Sequence, residues 1–267
     1  GHECGKAGIA RTRGRAVTMC TVIVRIAPDE TFPVLVAANR DERIDRAWDP
    51  PCAWWPEAPE VIGGRDRSAG GTWMAINGAG VIAAVLNRPG SLGPEAGKRS
   101  RGELPLLALG ESNAKAAAKR IAALDAGTFR TFNLVLADRG GAIFQRSTGN
   151  GPIESMALAP GVHMVTAHDP DDPESPRILR YLPRFRAARM PRPECGDWAE
   201  WIEILADRSG PPGSEINVAE RAGFGTVCSS LVAIPRTGQP TWLFAAGPPD
   251  RAPFAKVGLE PAGAFSV

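Results

Sequence analysis

The sequence predicts an α+β fold of mostly antiparallel sheets covered by helices, and two observations carry that expectation. Short β-branched runs come in pairs joined by turn residues, the pattern of hairpins. The runs are also segregated as strands, helices, strands, helices, strands, with little of the strand–helix–strand alternation that builds a parallel sheet. A chain of 267 residues with 43% hydrophobic composition can bury one ordinary core. We expect one domain over residues 19–267, preceded at 1–18 by a disordered arm, a remnant of expression or an over-called start, with Met19 as initiator.

Residues 20–26 and 34–39 are β-rich runs separated by "APDETFP", whose Pro and Asp supply turn chemistry, so they read as a hairpin ending in the polar run Asn39-Arg40-Asp41-Glu42. The following stretch, from "RAWDPPCAWWPEAP" to "GGRDRSAGG", is too rich in Pro and Gly for a helix and too aromatic for a linker; it reads as an ordered loop. "TWMAI" and "VIAAVL" flank "NGAG" as a second hairpin, ending at Asn87. A helical layer follows over 102–126, with Ser112 as a cap and Gly127 as a stop. "FNLVLA" and "AIFQRS" form a third hairpin, followed by shorter runs around Met156 and at 162–166. "RILRYLPRFRAAR" and "DWAEWIEILAD" show helical spacing, with Trp198, Trp201, Ile202 and Leu205 on one face. "TVCSSLVAI" and "TWLFA" close the chain as a last hairpin.

Several function classes are disfavoured by composition. The 31 basic and 29 acidic residues are interspersed, which leaves no footprint for nucleic acid, and no apolar run approaches the roughly 18 residues of a membrane span. Five scattered cysteines without a C-x-x-C pair fit a reducing cytoplasm better than a disulfide framework or a zinc site. His163 and His168 are spaced wrongly for a ligand pair on a helix or a strand, so no metal is expected. "GGRDRSAGG" lacks the lysine and spacing of a phosphate loop. Small-molecule ligands are the expected partners; oligomeric state is not encoded in any readable pattern.

Cys20 is the candidate nucleophile. If Met19 is removed, Cys20 carries a free α-amine with a pKa of roughly 7.7 to 8 within reach of its own thiol, so no histidine is needed as base. Arg40 can supply the cation that favours a thiolate, Asp41 can hold the ammonium form, and Asn87, at the end of another strand, can donate to an oxyanion.

These residues belong to a wider set: Met19-Cys20-Thr21, Asn39-Arg40-Asp41-Glu42, Gly63-Gly64-Arg65-Asp66, Gly70-Gly71-Thr72-Trp73, Asn77, Asn87 and "SRGEL" at 100–104. The set resembles the NRDE family, also called transport and Golgi organisation proteins, over nearly everything from residue 19 onward. That family is similar to N-terminal-nucleophile hydrolases, and nearest to the choloylglycine and penicillin V acylases. The resemblance implies a four-layer αββα sandwich and cleavage of non-peptide amide C–N bonds through a covalent acyl-enzyme. It puts Cys20, Arg40, Asp41 and Asn87 in catalytic places and Asn39, Trp73, Asn77 and His168 in ligand-binding ones. No cofactor is required. The acylases' order Arg-Asn-x-Asp is replaced here by Asn-Arg-Asp-Glu, their second asparagine falls at Thr166-Ala167 or His168, and their late arginine falls at Val227-Cys228. The resemblance also implies an alternative, a non-catalytic carrier of haem or lipid on the same fold, with Cys20, His163, His168 or Cys228 against the iron.

Overall fold

The computed structural model describes residues 20–260; the expectations for residues 1–18 and for Met19 lie outside them. Along that stretch run β1 (Thr21–Ile26), β2 (Val34–Arg43), β3 (Trp48–Cys52), β4 (Ile62–Asp66), β5 (Thr72–Ile76), β6 (Ile82–Asn87), α1 (Glu103–Ala108) and α2 (Ala114–Ala122). Then come β7 (Phe132–Asp138), β8 (Gly141–Ser147), β9 (Glu154–Ala157), β10 (Gly161–Val165), α3 (Pro176–Ala187), α4 (Ala199–Leu205), β11 (Phe224–Ile234), β12 (Thr241–Ala245) and β13 (Phe254–Lys256). One sheet has the order β10-β1-β2-β11-β12-β13 and the other β3-β4-β5-β6-β7-β8-β9, with every strand pair antiparallel.

Three apolar cores lie between four layers. Period-2 alternation in β1 sends Val22, Val24 and Ile26 between the sheets and Ile23 toward α3 and α4; Val34 and Val36 of β2 behave as the first set, Leu35 and Ala37 as the second. The second sheet repeats the device. Met74 and Ile76 face the other sheet, while Ala75 packs with Leu104, Ala117 and Ile121 under α1 and α2. The αββα sandwich expected from the sequence is therefore the observed architecture, and it follows from strands apolar on both faces, each covered by a different layer.

The structure departs from the sequence reading in four local places. β2 does not end at Asn39 but runs on to Arg43, because β11 pairs with it along its whole length, with a bulge between Thr226 and Cys228. The Pro- and Trp-rich stretch contains two strands, β3 and β4, whose ladder is broken by irregularities that hide them from a pattern search. Asn113 rather than Ser112 caps α2, its side chain accepting from the Ala116 amide, and the helix ends at Ala122, well before Gly127. The short edge strand β13 carries too few residues for a readable period.

The continuation of β2 divides the Asn-Arg-Asp-Glu run by parity. Asn39 and Asp41 face the α3/α4 layer; Arg40 and Glu42 face the space between the sheets. Asn39 is 1% exposed, and its Nδ2 donates to the carbonyls of Leu205 (3.0 Å) and Ile216 (2.9 Å) while Oδ1 accepts from Ser229 Oγ at 2.6 Å. It thus stitches the end of α4 and the segment before β11 to the sheet. Asn39→Ala would leave two carbonyls and a hydroxyl buried without these partners. A loss of about 2–3 kcal/mol in urea unfolding is the expected outcome; a change within experimental scatter would show that those groups find other partners.

Candidate active site

Three strands bring a thiol, a guanidinium and a second thiol into one row. Thr21 pairs with Asn39, which puts Cys20 beside Arg40 at the end of the β1–β2 ladder, and Arg40 pairs in turn with Cys228 of β11. All three side chains have the parity that faces the other sheet. Cys20 is partly exposed and its thiol lies 3.6 Å from the Asp41 carbonyl, to which it donates; Cys228 is buried. Since Cys20 and Cys228 flank β2 from opposite sides, they stand two strand spacings, about 10 Å, apart in the backbone, beyond the reach of a disulfide.

Arg40 is only 5% exposed, and its guanidinium carbon lies 4.0 Å from the centroid of the Trp73 ring. Its nearest carboxylates, Glu42 at 3.8 Å and Asp66 at 3.9 Å, are beyond hydrogen-bond length, and its Nη1 has no hydrogen-bond partner among the described residues. Trp73 is held edge-to-face by Trp48 at 5.8 Å. The glycine-rich segment explains its seat. A Cβ on Gly64 would fall 2.2 Å from the Trp73 ring, and one on Gly71 would fall 2.4 Å from the backbone of Gly102. The loop is thus glycine-rich for close approach to an indole and to the turn before α1.

Burial pushes the Cys20 thiol up to about 11, with the Asp41 charge adding to the rise; the hydrogen bond to the Asp41 carbonyl and the Arg40 charge act the other way and do not prevail. Cys228 is pushed up to about 12, again by burial first. Arg40 alone does not make Cys20 a thiolate at neutral pH.

Asp41 presents its carbonyl to Cys20, while its carboxylate is fully buried on the opposite face. There it pairs with Arg177 of α3, Nη1 to Oδ2 at 2.9 Å, and accepts from Thr226 Oγ1 at 2.6 Å. The same Arg177 nitrogen donates to Thr21 Oγ1 at 2.9 Å, so the pair clamps the residue next to Cys20. Burial drives the Asp41 carboxyl up, opposed by Arg177 and Thr226. Arg177 is the site residue that sequence reasoning missed: it lies in "SPRILRYL", where a helical arginine ordinarily faces solvent, and only its place right after the Ser175 cap turns it inward.

A cleft of about 380 Å³ opens above this row. Cys20, Arg40, Trp73 and Asn87 all line it, and Asn87, the last residue of β6, directs its amide to no other described side chain or carbonyl. Arg101, from the "SRGEL" segment, lines it too. The remaining candidates stand elsewhere. Asn77 closes the β5–β6 turn, accepting from the amides of Ala79 and Val81 and donating to the carbonyls of Leu109 and Glu111. His168 follows β10, outside the cleft lining, with Nδ1 3.4 Å from Asp172; its carbonyl accepts from the buried Asn133 of β7, which also reaches Thr166. His163 uses both ring nitrogens, on the Asp171 carboxylate and the Ala159 carbonyl, each at 2.8 Å. Among the described residues no cluster of His, Cys, Asp or Glu could hold a metal ion, and no helix is long and apolar enough to cross a membrane.

A family model described as Transport and Golgi organisation 2 matches residues 19–243. The Transport and Golgi organization protein 2 homolog of Bos taurus is 29% identical over 161 residues, which is 54% of this chain and 55% of that protein. The chain spans about half the length of the curated relatives it matches. Among solved structures, the Caenorhabditis elegans N-acylethanolamine-hydrolyzing acid amidase ortholog superposes with a TM-score of 0.52 at 11% identity, over 82% of this chain and 94% of that one. Penicillin V acylase from Agrobacterium tumefaciens gives 0.47 at 15% identity, over 85% and 83%. The likeness to the amidase is one of fold, that of the N-terminal-nucleophile hydrolases.

Two outcomes follow from the buried charges. Arg177→Met should cost about 3–5 kcal/mol in urea unfolding, because it leaves the Asp41 carboxyl buried without its cation; adding Asp41→Asn should recover part of that loss. His163 is raised from its ordinary value, chiefly by its hydrogen bond to Asp171. A raised pKa stabilises the fold fully below the unfolded value of about 6.5, and that share is lost as pH rises through the folded value. His163→Gln should therefore lower the urea midpoint more at pH 5.5 than at pH 9; an equal drop at both would deny the ionic character of the pair.

Proposed function

Because the chain belongs to the Transport and Golgi organisation 2 family and has the N-terminal-nucleophile hydrolase fold, we propose that it is a cysteine amidohydrolase whose nucleophile, Cys20, becomes the first residue once Met19 is removed. The observation that supports this most is the row at the cleft floor: a partly exposed thiol beside a buried guanidinium that has a donor to spare.

With Cys20 in peptide linkage the thiol stays near 11 and is inert at pH 7. A free α-amine changes this in two ways. As ammonium it adds a second cation beside the sulfur, and the carbonyl of Asp41 and the negative charge behind it favour that ammonium; as neutral amine it is a base with a pKa of roughly 7.7 to 8. In the reaction the amine takes the thiol proton and the sulfur bonds to the amide carbonyl carbon. The oxyanion accepts a hydrogen bond from the Asn87 amide. Collapse breaks the C–N bond, the ammonium proton goes to the leaving nitrogen, and the amine departs from a thioester. Water, deprotonated by the α-amine, then breaks the C–S bond to release the carboxylic acid and restore the thiol. Trp73 fixes Arg40 and walls the cleft, while Arg177 and Asp41 hold the strand ends in place.

The carrier reading uses the same cleft and draws on Trp73, the aromatic ring in its lining, which is backed by Trp48. For haem in that cleft His163 is excluded because both its nitrogens are engaged, Cys228 is buried and His168 lies outside the lining; Cys20 alone of the four is left to reach an iron.

Expression from Met19 should give an intact mass with Cys20 as the first residue, and turnover of a panel of N-acyl amides should fall to background in Cys20→Ser. A retained methionine together with full turnover would sink the mechanism. A saturable haem absorbance change that is lost in Cys20→Ala, with no amide turned over, would favour the carrier.

A further inference from the structure

The proposed nucleophile and the proposed oxyanion donor stand on different sheets. Cys20 precedes β1 of the six-stranded sheet, and Asn87 ends β6 of the seven-stranded one. The space between the sheets is filled by apolar side chains, whose contact is non-directional. Such contact holds two sheets together without fixing how one strand end lies over the other to the fraction of an ångström that an oxyanion contact demands. The Asn87 amide is anchored by no described side chain or carbonyl, so its place is set by its neighbours: Phe132 across the ladder and Arg88 next in the chain.

Arg88 does not line the cleft. Its Nη1 donates both to Oδ1 of Asn133 on β7, at 2.6 Å, and to Oδ1 of Asp169, at 2.8 Å. Asn133 is fully buried, and its Nδ2 donates to the carbonyls of Thr166 and His168 at 2.8 and 2.7 Å. The other oxygen of Asp169 is held by Arg146 of β8, which also pairs with Glu154 at 2.7 Å. Thr166, His168 and Asp169 belong to the segment that follows β10. That strand pairs with β1 as far as Val22–Val165, so the segment leaves the first sheet at the end where Cys20 enters it. Side chains of the second sheet therefore grip a loop of the first sheet beside the nucleophile. Of these, Arg88 is the one that adjoins Asn87. Its backbone is pinned as well: the amide donates to Ser91 Oγ at 3.1 Å, and that hydroxyl donates to the Arg88 carbonyl at 2.8 Å.

We infer that Arg88 is a positioning residue for acyl transfer: by tying the end of β6 to the loop beside Cys20 through Asn133 and Asp169, it sets the distance between the thiol and the Asn87 amide. The inference rests on the hydrolase reading for the role of Asn87. Arg88 touches no reacting atom and takes no part in proton transfer. One of its nitrogens makes both bonds, so a lysine ammonium, a compact cation with three donors, can stand in for it, whereas an apolar side chain cannot.

Two reagents separate positioning from thiol reactivity. Iodoacetamide alkylates Cys20 by displacing iodide and forms no oxyanion; p-nitrophenyl acetate acylates it through a tetrahedral oxyanion that expels p-nitrophenolate. Both need the thiolate. The ratio of Cys20-dependent acylation to alkylation, read at Cys20 by peptide mass and by p-nitrophenolate release with Cys20→Ala as blank, therefore cancels the ionisation of the thiol and reports the oxyanion contact. Asn87→Ala should lower that ratio by about a hundredfold, the size of a lost oxyanion donor. Arg88→Met should lower it by about tenfold or more with the alkylation rate unchanged. Arg88→Lys should restore most of it, and Asn87→Ala combined with Arg88→Met should be no lower than Asn87→Ala alone. This pattern in a protein that turns over no amide would support the positioning role and fail the hydrolase reading. An unchanged ratio in Asn87→Ala or in Arg88→Met overturns the inference, as does an Arg88→Met that slows alkylation and acylation alike, the mark of a role in folding only. Should Arg88→Met not fold, Asp169→Ala, at a partly exposed position, removes the anchor from the other side, and an unchanged ratio there overturns the inference equally.

Discussion

The buried ion pair between Asp41 and Arg177 is the constraint on which the candidate site depends. It joins α3 to β2, and through Thr21 and Thr226 it also engages β1 and β11, the three strands that carry Cys20, Arg40 and Cys228. A carboxylate in that position, without its cation, would resist burial, and the strand ends would have no reason to stay paired where the sequence turns polar. With it, β2 continues for five residues beyond its apolar run, to Arg43. That continuation keeps Arg40 against Trp73 and beside the thiol, rather than on a loop.

The consequence is a division of labour by strand parity. Asn39 and Asp41 bind the helical layer to the sheet, and their side chains are saturated by carbonyls, hydroxyls and Arg177. Arg40 and Glu42 point between the sheets, where only Arg40 lies deep enough to be desolvated. Half of one tetrapeptide therefore stabilises and the other half faces the cleft. A mutation in either half disturbs the candidate site, but for different reasons: the first by loosening the layer, the second by changing the charge next to the sulfur. Stability and ligand affinity measured together separate the two, since loosening lowers both and a change at Arg40 lowers chiefly affinity.

Much of this was legible in the sequence, for a physical reason. The β1–β2, β5–β6, β7–β8 and β11–β12 hairpins have full apolar strands and polar turns, and the two helical layers keep their spacing, so the layer order could be read directly. Cys20, Arg40 and Asn87, read as site residues from strand ends, do line one cleft. What could not be read was orientation. A polar run after an apolar strand looks like its end, and only pairing with β11, some 185 residues away, makes it strand. The resemblance put Asn77 and His168 in ligand-binding places; in the structure Asn77 closes a turn and His168 borders the Asn133 network, and neither lines the cleft. Arg177 was silent because an arginine's role lies in its partners, which sequence does not display.

The same arrangement explains why the thiol is quiet in the intact chain. Burial and the Asp41 charge outweigh Arg40, so the sulfur keeps its proton well above neutral pH. A stronger neighbouring cation would activate it, but a permanent one would also hold a reactive thiolate at all times and pair with the anion behind it. An α-amine at Cys20 satisfies both demands: its charge appears only when the preceding peptide bond is gone, and it can give up the proton it takes. On this reading the high thiol pKa and the missing histidine are two sides of one design. In the proposed mechanism the fold would position the base and removal of Met19 would supply it.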